Sequence, residues 1–257
     1  MSKLAAEDEF LDLSDYGRPI AKLFANKLKN TRFTPIHITL VFGVCGLIAI
    51  YCIIQNHYFL ASFFIILKSI IDAIDGELAR VKNTPSYVGR YLDSVFDIIL
   101  NLLFLITICY VAQTKLWMTL IAFFCIQLQG TLYNYYYVIL RNKSIGGDKT
   151  SKIFEDKSPQ ALPGETQKWV NIWFGIYTIV YGIFDKIIHV LDNDAYKVKT
   201  FPNWFMTLVS MYGLGFQLLL IAIMLPLNLI EYIVPFLIAY SLFIFVIIGI
   251  RKKVLIA

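Results

Sequence analysis

The sequence predicts an all-α protein: a bundle of six transmembrane helices preceded by an N-terminal amphipathic helix lying at the membrane surface. Three observations carry that prediction. The 257 residues are 58% hydrophobic and only 16% charged, with mean hydropathy +0.65, whereas soluble domains are roughly 25% charged. Apolar runs near residues 36–55, 58–78, 91–113, 116–140, 204–225 and 227–250 each approach the ~20 residues needed to cross ~30 Å of hydrocarbon. All of the 23 Lys and Arg except Lys68 and Lys115 then fall on one side of the alternation these runs impose.

The elements follow in chain order. Residues 1–35 form a polar N-terminus with no apolar stretch of signal-peptide type. Within it, RPIAKLFANKLKN (18–30) places Ile20, Leu23, Phe24 and Leu28 on one helical face, with Arg18, Lys22 and Lys29 mostly elsewhere. Pro19 suits the first turn, and the pattern predicts a helix lying on anionic headgroups. Residues 36–250 form the membrane domain, including a polar loop over 141–203. The spans must be helical, because a lipid-exposed backbone has to satisfy its own hydrogen bonds. QNH (55–57), QTK (113–115) and 226–231 are short enough to join antiparallel neighbours. The segment 169–190 is apolar enough for a seventh span. That would carry the basic tail (251–257: Arg251, Lys252, Lys253) to the opposite side, so an interfacial or re-entrant helix is expected. By the positive-inside rule both termini and the basic loops are cytoplasmic.

On that same face lies DAIDGELARVKNTPSYVGRYLDSVFD (72–97), with four aspartates beside bilayer-length apolar segments. Asp72 and Asp75 are three apart, and Asp93 and Asp97 four apart, so each pair shares a helical face. Gly89 extends the second stripe by one turn, and Gly76 follows Asp75. Four converging carboxylates repel one another unless cations lie between them. Hard divalent ions with oxygen ligands suit such a cluster and serve phosphate chemistry. Arg80, five residues past Asp75, is placed to grip a phosphate.

Asp72, Asp75, Gly76, Ala79, Arg80, Gly89, Asp93 and Asp97 reproduce the pattern D-x2-D-G-x2-A-R-x8-G-x3-D-x3-D without departure. The stretch therefore resembles the signature of the CDP-alcohol phosphotransferases, integral-membrane enzymes that make phospholipid headgroup linkages. The resemblance implies a six-helix membrane domain, usually a homodimer, with a cytoplasm-facing site for two divalent ions, Mg²⁺ or Mn²⁺. It implies that Asp72, Asp75 and Asp93 bind metal, and that Asp97 approaches the metals and acts as general base. Gly76, Ala79, Arg80 and Gly89 would line the CDP pocket. The expected substrates are a CDP-alcohol donor and a hydroxyl acceptor, at least one of them a lipid, with CMP released. The stretch looks nearest to the inositol-phosphate-using branch, although Ile98 stands where those members commonly carry Arg.

Other classes remain to be weighed against that implication. An ion or proton transporter would use carboxylates near the midplane, often within inverted repeats; here they cluster at one face and no repeat is visible. A Mg²⁺-dependent membrane prenyltransferase also holds a diphosphate with aspartates, but on two motifs normally far apart in the chain. Four cysteines and three histidines lie scattered without metal-site spacing, and nothing suggests nucleic-acid binding. Lys68, one turn before Asp72, is expected to pair with it, and Arg90 to meet a phosphate, a headgroup or solvent. Gln127, Gln129 and Asn134 should make interhelical hydrogen bonds, an acceptor pocket being the other reading. The tyrosines of TLYNYYYVILRN (131–142) are expected to form an interface belt. GGDKTSK (146–152) lacks the G-x4-G-K-[ST] spacing of a phosphate loop.

Overall fold

A computed structural model describes residues 4–144 and 155–255, so GGDKTSK lies outside the described residues. Among these the ordered elements are all helical. The chain begins with 3₁₀ turns at Ala6–Asp8 and Leu13–Asp15. The helices α1 (Arg18–Leu28), α2 (Pro35–Ile54), α3 (Tyr58–Val81), α4 (Tyr87–Ala112) and α5 (Leu116–Lys143) follow. After the loop come α6 (Gln167–Leu191), α7 (Asn203–Ser210), α8 (Leu214–Met224), α9 (Ile230–Tyr240) and α10 (Phe243–Val254).

Local chemistry sets the boundaries. Thr34 caps α2 by accepting from His37 N while the His37 ring accepts from Thr34 N, and Pro35 occupies the first turn. Ser86 caps α4, its hydroxyl accepting from Gly89 N at 2.8 Å. The short connections turn on left-handed residues: Asn56 (φ 58°), Asn83 (φ 53°), Gln113 (φ 51°) and Asn228 (φ 57°). Asparagine tolerates that region better than most residues because its side chain bonds locally. Antiparallel neighbours result, and α2 can approach α4 closely. A Cβ at Gly46 would lie 2.9 Å from Leu100, and one at Gly43 3.2 Å from Phe96.

Helices α2, α4, α5 and the run 230–254 are each long and apolar enough to cross a bilayer; α7–α8 qualifies as a span bent by 50°. α3 carries Lys68, Asp72 and Asp75 within 24 residues but packs along α2 throughout. α2 shows how the outside is built. Leu40, Val44, Leu47, Tyr51 and Ile54 form one exposed stripe at helical spacing, while Phe42, Ala49 and Ile53 on its other face are wholly buried. A second core cluster, nearer the aspartate end, joins Tyr136 and Leu140 of α5 to Phe205 of α7 and Ile247 of α10.

α6 has the length and composition of a span and packs against α4 and α5. Glu165, just before it, accepts from Ser86 Oγ and Val88 N at the start of α4. Tyr181 then donates to Ser94 O, Phe184 meets Phe124, and Asp192, just past its end, meets Tyr135, Tyr136 and Arg251. The contact runs up the numbering of α4 and then of α5. The anchor at the C-terminus of α6 is a buried ion pair between Asp192 and Arg251, with Tyr136 donating to the same carboxylate at 2.6 Å.

α1 packs Ala21 and Ala25 against Ile74 and Leu78 of α3 and leaves Ile20, Leu23 and Phe24 exposed, as a helix shared between protein and interface requires. The predicted tyrosine belt is different: Tyr135, Tyr136 and Tyr137 are buried. Their hydroxyls or rings meet Asp192, Phe201 and Phe10, so the residues build the second core. A five-residue run with four tyrosines (133–137) is ambiguous in sequence because interface belts and aromatic cores share composition.

Candidate active site

The facing halves of α3 and α4, with α5, α6 and α8 around them, enclose a cavity of ≈ 1130 Å³ open at the aspartate end, and all eight motif residues line it. The i, i+3 and i, i+4 spacings put the two aspartate pairs on the cavity faces of their helices. The carboxylates of Asp72, Asp75 and Asp93 converge, with one oxygen of each lying within 4.8 Å of the others. Asp75 is buried and accepts from Thr39 Oγ1 at 2.7 Å. Asp93 Oδ1 is buried without a hydrogen-bond partner. An orphaned carboxylate oxygen beside two further carboxylates is a donor set suited to a hard divalent cation.

Asp97 lies outside that group of three. Its Oδ1 is engaged by Lys68, whose ammonium also sits 4.7 Å from the Phe42 ring centroid. The expected pairing of Lys68 with Asp72 is thus replaced by one across the α3–α4 gap. Residues one turn apart on one helix compete with whatever the neighbouring helix presents, and here Asp97 reaches the buried ammonium.

The remaining motif residues shape the wall. A Cβ on Gly76 would lie 3.6 Å from the Arg80 guanidinium, and one on Gly89 would crowd Ser86 Oγ at 3.2 Å. Glu77 grips Arg80 (2.8 Å) and also Arg18 of α1 (3.1 Å), so the Arg80 guanidinium is held at the cavity edge. Arg90 pairs with Glu155 at 2.7 Å and packs over the Tyr91 ring; an acidic residue 65 positions away takes the place of the anticipated headgroup or solvent. Gln129 bonds Leu237 O and Ser241 Oγ across to α9 and its end, as expected, whereas Gln127 Nε2 has no such partner.

Sequence reasoning missed several contributors. Thr39 and Glu77 are recognisable only once α2 and α1 are docked on α3. The N-terminal turn 12–15 is the other surprise. It seats in the bend between α7 and α8, where Leu13 N donates to Ser210 Oγ and Asp12 accepts from Tyr133. A Cβ at Gly213 or Gly215 would collide with Ser14, so both glycines are needed to form the notch. Ser14 and Asp15 thereby join the cavity wall. Beside them, outside the spans, burial raises the Tyr16 phenol above its ordinary value and keeps it protonated.

An aspartate-lined cavity at one end of a helical membrane bundle defines the class, an integral-membrane protein with carboxylates grouped as a divalent cation needs them. The family model for CDP-alcohol phosphatidyltransferase matches residues 32–247, and the chain belongs to that family. It is also 36% identical over 67 residues to the CDP-diacylglycerol--serine O-phosphatidyltransferase of Bacillus subtilis (strain 168). That match covers 26% of this chain and 38% of the relative's length.

Proposed function

We propose that the chain transfers a substituted phosphate group from a CDP-alcohol to an acceptor hydroxyl and releases CMP. The observation that supports this most directly is the convergence of Asp72, Asp75 and Asp93 around an orphaned oxygen in the cavity lined by all eight motif residues. These three carboxylates would hold divalent cation, Mg²⁺ or Mn²⁺ and two ions by family likeness, which when bound neutralises the diphosphate and stabilises the departing oxygen.

The chain's own residues divide the remaining work. Arg80, held by Glu77, presents positive charge where the CDP phosphates enter. Gly76 and Gly89 let the nucleotide approach the backbone. Lys68 holds Oδ1 of Asp97 and leaves Oδ2 to receive the proton of the acceptor hydroxyl. The acceptor oxygen then bonds to the phosphorus that carries the donor's alcohol, and the bridging P–O bond breaks, its electron pair leaving with CMP. The lipid-length exposed stripes and the basic excess at the aspartate end support a site on the cytoplasmic face. The likeness to a CDP-diacylglycerol-using relative favours CDP-diacylglycerol as donor, and the family favours a homodimer.

CMP release from CDP-diacylglycerol by the purified protein tests this reading. Activity should need added Mg²⁺ or Mn²⁺, disappear in chelator, and return with the metal. Asp97→Asn should abolish it in a protein that remains folded in lipid. Metal-independent turnover, or near-normal turnover by the Asn variant, contradicts the assignment.

A further inference from the structure

Below the aspartates the cavity continues into a polar floor. The α4 stripe runs on from Asp93 and Asp97 to Asn101, one turn deeper, and the facing α5 stripe carries Gln127, Gly130 and Thr131. Gln127 and Thr131 are 5% and 6% exposed, and Gln127 Nε2 and Thr131 Oγ1 are both without a hydrogen-bond partner. A Cβ at Gly130 would meet nothing within 4 Å, so this wall has free room. By contrast Gln129, on another face of the same helix, is fully engaged with α9 and Gln217. Buried polar atoms inside a membrane helix destabilise the fold when unpartnered, and two on one cavity-facing stripe point to an absent hydrogen-bonding ligand.

The charges around the floor say which ligand. Among the described residues lining the α4, α5 and α6 walls, the charged ones are Arg90, Asp93, Asp97, Arg141 and Asp185. Arg90 is committed to Glu155. Arg141 lies at the aspartate end, ten residues and so about 15 Å along α5 from Thr131. On the α3 side Lys68 is committed to Asp97, Arg18 and Arg80 to Glu77 and Lys82 to carbonyls of residues 31 and 33, so the floor offers amides and a hydroxyl, with acidic neighbours and no uncommitted cation to balance a phosphate.

We infer that Asn101, Gln127 and Thr131 form the acceptor subsite, and that it takes a compact polar alcohol without a phosphate group, a polyol or a hydroxy amino acid. This rests on the transferase reading above. The hydroxyl to be phosphorylated faces Asp97, and the rest of the acceptor bonds to the floor.

CMP release from CDP-diacylglycerol with Mn²⁺ is measured with serine, inositol and glycerol, and separately with glycerol 3-phosphate and inositol phosphate. A phosphate-free acceptor should support turnover, and which one does separates polyol from hydroxy amino acid. Gln127→Leu and Thr131→Val should raise that acceptor's KM about tenfold or more while leaving the KM for CDP-diacylglycerol unchanged. They should also leave the thermal unfolding midpoint unchanged or higher, because each removes an unpartnered buried group; a structural role would lower it. Turnover with phosphorylated acceptors alone, or an unmoved acceptor KM in both variants, overturns this inference and leaves the transferase reading standing. No CMP release with any acceptor overturns both.

Discussion

Thr39→Val removes a single hydrogen bond without changing shape, and its effect can be worked from the structure. Thr39 is buried in α2 and donates to Asp75 Oδ2 at 2.7 Å, with a weaker 3.2 Å contact to Pro35 O in its own helix. A hydrogen bond to a charged group is worth about 1.5–3 kcal/mol. Loss of such an outer partner typically lowers metal affinity about 10–100-fold, or about 1.4–2.7 kcal/mol at 1.36 kcal/mol per decade. The hydroxyl is shared with Pro35 O, so the lower half of that range applies, about 10–30-fold. Valine has nearly the shape of threonine, so no cavity adds to the effect and the lost hydroxyl is the whole change. The assay is a Mn²⁺ titration of CMP release. The half-saturating concentration should rise by that factor, maximal rate should recover at high Mn²⁺, and Thr39→Ser should stay close to wild type. A Val variant with the wild-type Mn²⁺ requirement would show that Thr39 does not position Asp75, and the argument from the 2.7 Å bond would fail.

Two further outcomes concern the scaffold. Arg251→Met strands the fully buried Asp192 carboxylate and should cost about 3–5 kcal/mol, while adding Asp192→Leu restores most of the loss, because the penalty belongs to the unpaired charge; equal midpoints for single and double variants in a thermal unfolding series refute this. Gly215→Ala forces a methyl into Ser14 and should cost about 1–3 kcal/mol with faster proteolysis of the N-terminal segment. Gly249→Ala, which meets nothing within 4 Å, should change stability by no more than about 1 kcal/mol and serves as its control.

Much of this was legible in the residues because the constraints are short-ranged. The spans are contiguous, their connections carry turn-forming Asn or Gln, and the motif aspartates sit at i, i+3 and i, i+4. The aspartate spacings need only helices to become faces. α1 was legible for the same reason, although its protein-facing side is Ala21 and Ala25, whose smallness matters only against α3. Contacts between helices were not legible. Lys68 has Asp72 one turn away and Asp97 twenty-nine residues away, and helical periodicity ranks the nearer one first. Glu77, Thr39 and Glu155 read as ordinary residues until the helix facing each is known. The breaks at 211–213 and 241–242 interrupt apolar runs without Pro or charge at the break itself. Hydropathy therefore counts each pair as one pass and misses the bend that receives residues 12–15.

The seating of that N-terminal turn also bears on how the protein is made. Leu13 and its acceptor Ser210 are 197 residues apart, and the notch requires Gly215 as well. At roughly 5–20 residues per second of synthesis, the turn at 12–15 waits on the order of ten to forty seconds for its seat. Until α7 and α8 are made, one wall of the cavity is missing. A nascent chain that already carries every motif aspartate is therefore still an open vessel, and completion of the site is timed by the late helices and not by the signature itself.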